Sequence, residues 1–304
     1  MELRQLTYFV AVAEEGSFTR ASERLYIAQP AVSRQVGHLE RELGARLFAR
    51  RPDGVRLTRA GEALLPRARR MLATADECRD TVAAVAGLLR GRLFVGSLFA
   101  APRLGLPRLL AAYHDRHPDV DIVFREEATE RLLQEVRSGA GDVAFVAPAC
   151  EDWPSGLDAE LVDRERAVLL VRDEHALAQR PAVQLGDLRT ERFIALAPGS
   201  GHRTMLETAC RGAGFEPDVV CEAGNTMMLI DMTGAGLGVT FVPESIVPAG
   251  GSLRAIAVDD PPLERRISMV WRSAEPPAPA VAAFLATARE HFGPLRAARP
   301  PAAG

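Results

Sequence analysis

The sequence predicts a mixed α/β protein with an N-terminal winged helix-turn-helix, a long linker helix and a larger α/β region. Three observations predict this class. Two short helical patterns joined by a tight turn precede a hairpin signal within the first 58 residues. A heptad pattern of apolar residues follows them. From Gly91 onward, strand-like and helix-like segments alternate, which is typical of α/β folds.

Size and charge limit the classes of protein that need to be considered. The chain has 304 residues, of which 47% are hydrophobic, so it is long enough for two or more globular domains. The net charge of −3 argues against a protein that coats nucleic acid over its whole surface. However, residues 1–70 hold 13 Arg against 8 Asp or Glu. This asymmetry favours a basic binding module joined to an acidic domain.

Cysteine spacing and hydropathy point away from metal sites and membranes. The four Cys are scattered and form no CxxC pair, so we expect neither a zinc site nor a disulfide framework, and no cofactor. The N-terminus MELRQLTYFV has no charged leader before a long apolar run, and no stretch reaches the ~18 apolar residues of a membrane span. We therefore expect a cytoplasmic protein without a membrane partner.

The first elements are short helices with clear ends. Gly16 is expected to end the first helix, and Ser17 is a candidate N-cap for the second, which runs to Leu25. After the connection Tyr-Ile-Ala, the segment QPAVSRQVGHLEREL predicts a third helix with Pro30 in its first turn and Gly44 after its end. Its apolar residues form one buried stripe: Val32, Val36, Leu39 and Leu43.

The polar face of this third helix has the chemistry needed to recognise DNA. Arg pairs with guanine, Gln with adenine, and Ser with a base or a phosphate, and Gln29, Ser33 and Arg34 lie at the N-terminal end that enters a major groove. The alternative is an ordinary solvated face. The preceding short helix, the following hairpin and the local positive charge together favour the DNA interpretation.

A hairpin with basic residues follows. Two strand-like segments, Leu47–Arg51 and Val55–Thr58, flank Pro-Asp-Gly, which is a strong turn signal. A hairpin after a helix-turn-helix is a wing, and this one carries Arg50, Arg51 and Arg56.

The next helix is predicted to start after Thr58 and to run to about Leu89. Its apolar residues recur at alternating intervals of four and three, as in a two-stranded coiled coil: Leu64, Ala68, Met71, Ala75, Cys78, Val82, Val85 and Leu89. The simplest partner for this seam is a second copy of the chain. One helix of an ordinary bundle is the alternative, and Pro66 is expected to kink the helix near its start.

Alternation of strands and helices organises the remainder. The predicted strands are RLFVGSL, DIVFREEA, DVAFVA, RAVLLVR, ERFIALA, DVVCEA and GVTFVP, and the predicted helices are Pro107–His117, TERLLQEVRSG, GHRTMLETACRGAG, NTMMLIDMTGAG and Val281–Phe292. The tail ARPPAAG is expected to be disordered.

The order EEGSFTRASERLYIAQPAVSRQVGHLERELGARLFARRPDGVRLTRAGE resembles the N-terminal domain of LysR-type transcriptional regulators. Chain length, the long helix and the α/β remainder match that family from end to end. The resemblance implies a winged helix-turn-helix (1–58), a dimerising linker helix (59–90), and an effector-binding domain (91–304) shaped like a type 2 periplasmic binding protein. Its lobe I would comprise 91–161 and 266–292, and its lobe II 162–265. Family members often form tetramers, so a homodimer or homotetramer is implied.

The resemblance also implies which residues contact double-stranded DNA. In such proteins the residues at Gln29, Pro30, Ser33 and Arg34 approach bases, and the residue at Arg50 approaches the backbone. One departure concerns the wing tip, where many members carry a basic residue and this chain has Asp53. The departure puts a minor-groove contact by the wing in doubt.

Four strand-to-helix junctions of the α/β region carry small polar residues. Helix N-termini that converge at strand ends make anion sites, although plain helix capping is the favoured explanation of any single junction. The resemblance implies a small-molecule effector at these junctions, with a carboxylate as the expected class and apolar walls from Phe99 and Pro148. The candidate effector residues are Ser97, Leu98, Phe99, Thr129, Pro148, Ser200, Gly201, His202, Asn225 and Thr226. The His202 imidazole is also a candidate for titration near neutral pH.

Effector binding is expected to close the lobes about hinge strands near Leu161–Arg166 and Arg265–Ser268, and so to re-aim the DNA-binding heads. Two alternatives from other classes stay open. One is an enzyme built on the α/β region, although the sequence shows neither a nucleophile–base pair nor a cofactor loop. The other is a DNA-organising protein that responds to no effector.

Overall fold

The computed structural model describes residues 1–51, 54–85, 89–99, 101–148, 153–198, 200–259, 262–273, 277–293 and 295–297. The chain divides into two compact units. The first consists of Met1–Arg90 with Ser138–Ala140, and the second of Gly91–Arg137 with Gly141–Gly304.

The first unit has the predicted helices and hairpin. Its elements are α1 (Leu3–Glu15), α2 (Phe18–Arg24), α3 (Gln29–Leu43), β1 (Phe48–Arg51), β2 (Gly54–Leu57) and α4 (Arg59–Val85). Gly16 ends α1 in the left-handed conformation at φ 58°, and Gly44 ends α3 at φ 66°. The Ser17 hydroxyl accepts a hydrogen bond from the backbone N–H of Arg20 at 3.3 Å, so the predicted N-cap is confirmed.

The apolar stripe of α3 packs into the head core, with one exception. Val32, Val36 and Leu39 are fully or almost fully buried. Leu43, which the spacing placed on the same stripe, is 42% exposed. The prediction that Leu43 is buried was wrong, and Leu43 is the last residue of α3.

The helix α4 begins as predicted. The Thr58 hydroxyl accepts a hydrogen bond from the Gly61 N–H at 3.1 Å and donates one to the Arg46 carbonyl at 2.6 Å. The helix continues through Pro66 to Val85. Residues 86–88 lie outside the described segments and Leu89 is not helical, so the predicted end at Leu89 is not reached by the described helix.

The heptad seam of α4 has two different environments. Ala68 is fully buried and Leu64 is partly buried, and both belong to the core cluster that contains Leu6 and Phe9 of α1. Met71 and Val82 are 41% and 73% exposed. The start of the seam therefore packs on the chain's own head, as in an ordinary bundle, and the exposed apolar surface begins at Met71.

The second unit contains a mixed sheet with flanking helices. Its elements are β3 (Gly91–Ser97), α5 (Leu106–Arg116), β4 (Val120–Glu126), α6 (Thr129–Ser138), β5 (Val143–Val146), β6 (Leu157–Arg172), β7 (Ala182–Gln184), β8 (Arg192–Leu196), α7 (Gly201–Gly212), β9 (Asp218–Ala223), α8 (Thr226–Gly234), β10 (Thr240–Pro243), β11 (Leu253–Asp259), β12 (Glu264–Arg272), α9 (Pro279–Phe292) and β13 (Arg296–Ala297).

The strands β6 and β12 join two lobes. The main sheet has the order β4-β3-β5-β12-β6-β11-β7, with β10 and β13 also paired to β6, while β8 and β9 form a separate parallel pair. The first part of β6 pairs with β12, and its last residues pair with β10 and β11. Each lobe has its own apolar core, one around Leu157 and Val270 and the other around Leu169 and Phe241.

The pairing of β6 with β12 contains an irregularity. The register shifts between Ile267 and Ser268, so that Ile267 faces Asp163 and Ser268 faces Leu161. This shift lies within the two segments that the sequence analysis named as hinge strands. The strands β7 and β11 and residues 157–160 of β6 were not predicted, because their short or charged segments lack a clear alternation. The tail 298–304, expected to be disordered, lies outside the described residues.

Candidate functional site

The polar face of α3 is exposed along one edge. Pro30, Arg34 and His38 are exposed and lie four residues apart, so they line up along the helix. Gln29 and Ser33 are partly buried beside them. Within the described part of the chain, the Arg34 guanidinium has no ion pair. Arg34 is therefore available to a partner outside the chain.

A buried carboxylate holds α3 against the hairpin. Glu40 is 8% exposed, and its Oε1 accepts hydrogen bonds from the backbone N–H groups of Leu47 at 2.8 Å and Phe48 at 3.3 Å. Its Oε2 accepts a bond from the Arg46 guanidinium at 2.9 Å. The hairpin thus starts at a fixed position relative to α3, because both Glu40 oxygens are engaged there.

The hairpin forms as predicted, within one residue of the expected strand ends. Arg50 pairs with Val55, and Arg51 with Gly54, in an antiparallel register. The Arg56 side chain is exposed. The side chains of Arg50 and Arg51, and the tip with Asp53, lie outside the described residues, so expectations about them stay predictions.

Part of the positive charge of the head is neutralised internally. Glu14 on α1 accepts hydrogen bonds from Arg24 and from Arg69, each at 2.9 Å. The bond to Glu14 raises the pKa of Arg24 against the smaller effect of burial. The two arginines tie α2 and α4 to α1, and this role distinguishes them from Arg34.

A cavity of about 800 Å³ lies between the two lobes of the second unit. Eight of the ten predicted effector residues line it: Leu98, Phe99, Thr129, Pro148, Ser200, Gly201, His202 and Thr226. Ser97 and Asn225 are not among its lining residues. The N-termini of α6, α7 and α8 all contribute to the wall, as expected where strand ends and helix starts converge.

Local hydrogen bonds explain several of the small polar residues. The Ser97 hydroxyl is buried and donates to the Leu98 carbonyl at 3.1 Å. Asn225 caps α8 through a 2.9 Å bond from the Met228 N–H, and Ser200 caps α7 through a 3.2 Å bond from the Arg203 N–H. Capping, the alternative considered for each junction, is therefore the observed role of Ser200 and Asn225.

The His202 imidazole is held in one orientation. Its Nε2 lies 2.8 Å from the Phe241 carbonyl oxygen, so Nε2 carries the proton that is donated. Burial lowers the pKa of His202 most, and the positive charges of Arg265 and Arg203 lower it further, against the bond to Phe241, which raises it. The ring is therefore neutral at pH 7. Its Nδ1 is a buried acceptor that has no partner among the described residues.

The lowered pKa makes the stability of the protein depend on pH below about 6.5. The unfolded chain binds a proton at His202 that the folded chain resists, so the free energy of unfolding falls as pH decreases from 6.5. We expect His202→Gln, which keeps an N–H for Phe241, to flatten this fall by up to about 1.4 kcal/mol per pH unit. Thermal unfolding between pH 5 and 8 measures this pH dependence of stability, with His114→Gln on the exposed face of α5 as the matched control. If stability falls equally with pH in the wild type and in His202→Gln, His202 is not the group that causes the fall.

The sequence analysis missed charged and aromatic residues of the cavity. Arg265 lines it, and its guanidinium donates from Nε and Nη2 to Glu165 Oε2 at 2.9 and 2.6 Å. Glu165 is 2% exposed and also accepts a bond from the Ser245 N–H at 3.2 Å. Trp153 lines the cavity as well, and its indole N–H is buried without a partner in the described part of the chain. The sequence could not show the ion pair of Glu165 with Arg265, because these residues meet only where β6 pairs with β12.

The described residues hold neither a candidate metal site nor a helix that could span a membrane. They contain no cluster of three or more His, Cys, Asp or Glu with the spacing of a metal site. None of the helices among these residues has the length and apolar character needed to cross a membrane.

Comparison with protein families accounts for both units. Residues 3–62 match the model described as "Bacterial regulatory helix-turn-helix protein, lysR family". Residues 86–293 match the model of the LysR substrate binding domain.

Individual relatives match the chain over most of its length. The HTH-type transcriptional regulator AlsR of Bacillus subtilis is 34% identical over 247 residues, which is 81% of each chain. The regulator CfxR of Cupriavidus necator is 33% identical over 96% of this chain and 92% of its own. A full-length OxyR variant from Pseudomonas aeruginosa superposes with a TM-score of 0.75 at 25% identity and 99% coverage of both chains. CbnR in complex with its target DNA has a TM-score of 0.64 at 28% identity, over 96% of this chain and all of the other. The chain belongs to the LysR family of transcriptional regulators, which bind DNA and small-molecule effectors and are not enzymes.

Proposed function

We propose that this regulator reads a pseudo-palindromic DNA site with α3 and that a small carboxylate in the interlobe cavity controls it. The exposed N-terminal edge of α3 carries the first part of the proposal, because side chains there reach base edges in a major groove. The cavity of about 800 Å³ carries the second, since ligand cavities commonly have volumes of this order.

In the proposed complex, Arg34 pairs with a base in the groove, assisted by Gln29, Pro30 and Ser33. These residues lie at the end of α3 where recognition helices contact base edges. Arg50, Arg51 and Arg56 of the hairpin contact the DNA backbone. CbnR, a structural neighbour, is known in complex with its target DNA, which supports a DNA-bound state of the same kind here.

We propose the exposed part of the α4 seam as the dimer interface and a homotetramer as the full assembly. The apolar surface from Met71 to Val82 is exposed in the single chain, although it has the spacing of a coiled coil. The proposed domains are a head at 1–58, a linker at 59–90 and an effector domain from 91. The matched family regions, 3–62 and 86–293, support this division.

The carboxylate is proposed to lie against the starts of α6, α7 and α8. Backbone N–H groups at helix starts favour an anion, and Thr129, Gly201 and Thr226 are the lining residues at these three starts. Phe99 and Pro148 supply apolar wall. Ser97 and Asn225, whose side chains bond elsewhere, support the wall from outside the cavity.

Closure of the lobes about β6 and β12 is the proposed response. These two strands connect the lobes, and their register shift at Ile267 and Ser268 supports a hinge at this point. A ligand that contacts both lobes favours the closed arrangement and so shifts the population of the oligomer.

A thermal-shift screen of the purified chain against a panel of organic acids tests this proposal. We expect at least one acid to raise the melting temperature and to change binding to the DNA that flanks the chain's own gene. Ala128→Trp, which places a large ring at the cavity wall, is expected to abolish the shift, while Ala111→Trp on the exposed face of α5 keeps it. If no acid shifts the melting temperature, the effector is not a carboxylate of the panel. If both variants show an equal shift, the acid does not bind in the interlobe cavity.

A further inference from the structure

The turn between α2 and α3 is built around a left-handed residue. The Tyr26 N–H donates to the Glu23 carbonyl at 3.1 Å, and the Ile27 N–H donates to the Ser22 carbonyl at 3.0 Å. This pair of bonds is the Schellman arrangement, which requires a positive φ at the residue after the C-cap Leu25. Tyr26 has φ 55° and is the one non-glycine residue with positive φ among the described residues.

Glycine is the residue expected at such a position. The other two left-handed helix ends of the head are Gly16 and Gly44, where the absence of a Cβ removes the steric penalty. A tyrosine accepts the same backbone at a cost, because its Cβ crowds the following carbonyl oxygen. The turn therefore needs the left-handed backbone but gains nothing from the tyrosine side chain.

Packing does not explain the side chain either. Tyr26 is 96% exposed, and its hydroxyl makes no hydrogen bond within the described part of the chain. The next residue, Ile27, packs against the core cluster of Val32 and Val36. The Tyr26 backbone is strained and its side chain is almost wholly exposed. This combination points to a contact outside the chain.

We propose that the Tyr26 hydroxyl donates a hydrogen bond to a DNA backbone phosphate beside the bases read by α3. Only Ile27 and Ala28 lie between Tyr26 and Gln29, so the Cα atom of Tyr26 is at most roughly 11 Å from the Cα atom at the start of the recognition helix. Tyrosine is one of the side chains that bind phosphate oxygens and fix the register of a protein on the duplex. This inference rests on the proposed entry of α3 into the groove.

The test measures binding of the full chain to a mixed-sequence DNA duplex over a range of salt concentrations. We expect Tyr26→Phe and Tyr26→Gly each to weaken binding roughly three- to tenfold, as expected for one lost hydrogen bond. The dependence of log K on log salt should stay unchanged, because a neutral hydroxyl releases no counterion. Arg56→Ala, a charged comparison, should reduce that slope by about one.

Stability separates this role from a structural one. Tyr26→Gly relieves the backbone strain, so its melting temperature should equal or exceed that of the wild type while its DNA binding falls. Leu43→Ala, at a position that is 42% exposed at the far end of α3, is the control and should leave binding unchanged. Wild-type affinity in Tyr26→Phe would overturn the proposal. Whether α3 reads DNA at all is tested separately. If Arg34→Ala binds the gene-flanking DNA with unchanged affinity, the proposed role of α3 is contradicted.

Discussion

Arg34→Ala is expected to weaken binding to the cognate DNA by about 1–3 kcal/mol, which is roughly ten- to hundredfold, and to relax the preference at one base pair. The guanidinium is exposed at the N-terminal end of α3 and has no ion pair among the described residues. Its removal therefore deletes a contact to DNA without disturbing an internal bond. A bidentate pair with guanine is the strongest specific contact that this helix offers.

The measurement is a salt-dependent titration on the DNA that flanks the chain's own gene, beside a scrambled duplex. Arg41→Ala is the matched control, because it removes the same charge from the exposed surface of the last turn of α3. We expect Arg41→Ala to lower affinity for both duplexes equally and slightly. Arg34→Ala should lower affinity for the flanking DNA alone. If Arg34→Ala binds the flanking DNA as the wild type does, Arg34 does not read a base.

The double variant Met71→Glu with Val82→Glu is expected to convert the dimer into a monomer. Both side chains belong to the heptad seam that we propose as the dimer interface, and both are exposed in the single chain, at 41% and 73%. In a dimer, four carboxylates would then face each other across an apolar interface, and burying them unpaired costs several kcal/mol each. Specific DNA affinity should fall as well, since two half-sites are then no longer bound together.

Analytical ultracentrifugation measures the assembly directly. Arg70→Glu is the control, because it gives the same total charge change at an exposed position outside the seam. We expect Arg70→Glu to sediment as the wild type does. A full-size oligomer in the double variant would show that the dimer forms elsewhere, and the seam would then need another explanation.

Family membership removes the enzyme alternative, in agreement with the absence of a catalytic motif from the sequence analysis. The effector-free alternative makes a different prediction from our proposal, namely that no ligand in a broad panel changes the melting temperature. A rise in melting temperature with any acid of the panel would therefore exclude the effector-free alternative.

The head was predictable almost residue by residue because its signals are local. Gly16, Ser17 and Gly44 set helix ends through their own backbone conformation or a bond three residues away. The hairpin follows from Pro-Asp-Gly between two short strands. Hydrogen bonds of this range depend only on neighbouring residues, so one sequence is enough to locate them.

The periodicity of apolar residues predicted burial less well. It identifies the apolar face of a helix but not the element that packs against that face. The seam of α4 is uniform in sequence, yet Ala68 packs on the chain's own α1 while Met71 and Val82 are exposed. Leu43 has the spacing of a buried residue but is 42% exposed at the end of α3. Burial is decided by the neighbouring elements, which the spacing alone does not identify.

The sequence by itself determined the winged head, the alternation of strands and helices in the α/β region, the likeness to one regulator family and four of the polar residues that line the cavity. Tertiary structure alone brought Glu165 and Arg265 together, 100 residues apart, and decided that Ser97 and Asn225 stay outside the cavity wall. It also buried the His202 Nδ1 and the Trp153 N–H without a hydrogen-bond partner among the described residues. The physical reason is that caps and turns are set by bonds within a few residues, whereas the environment of a buried charge is set by strands that meet only when the sheet forms.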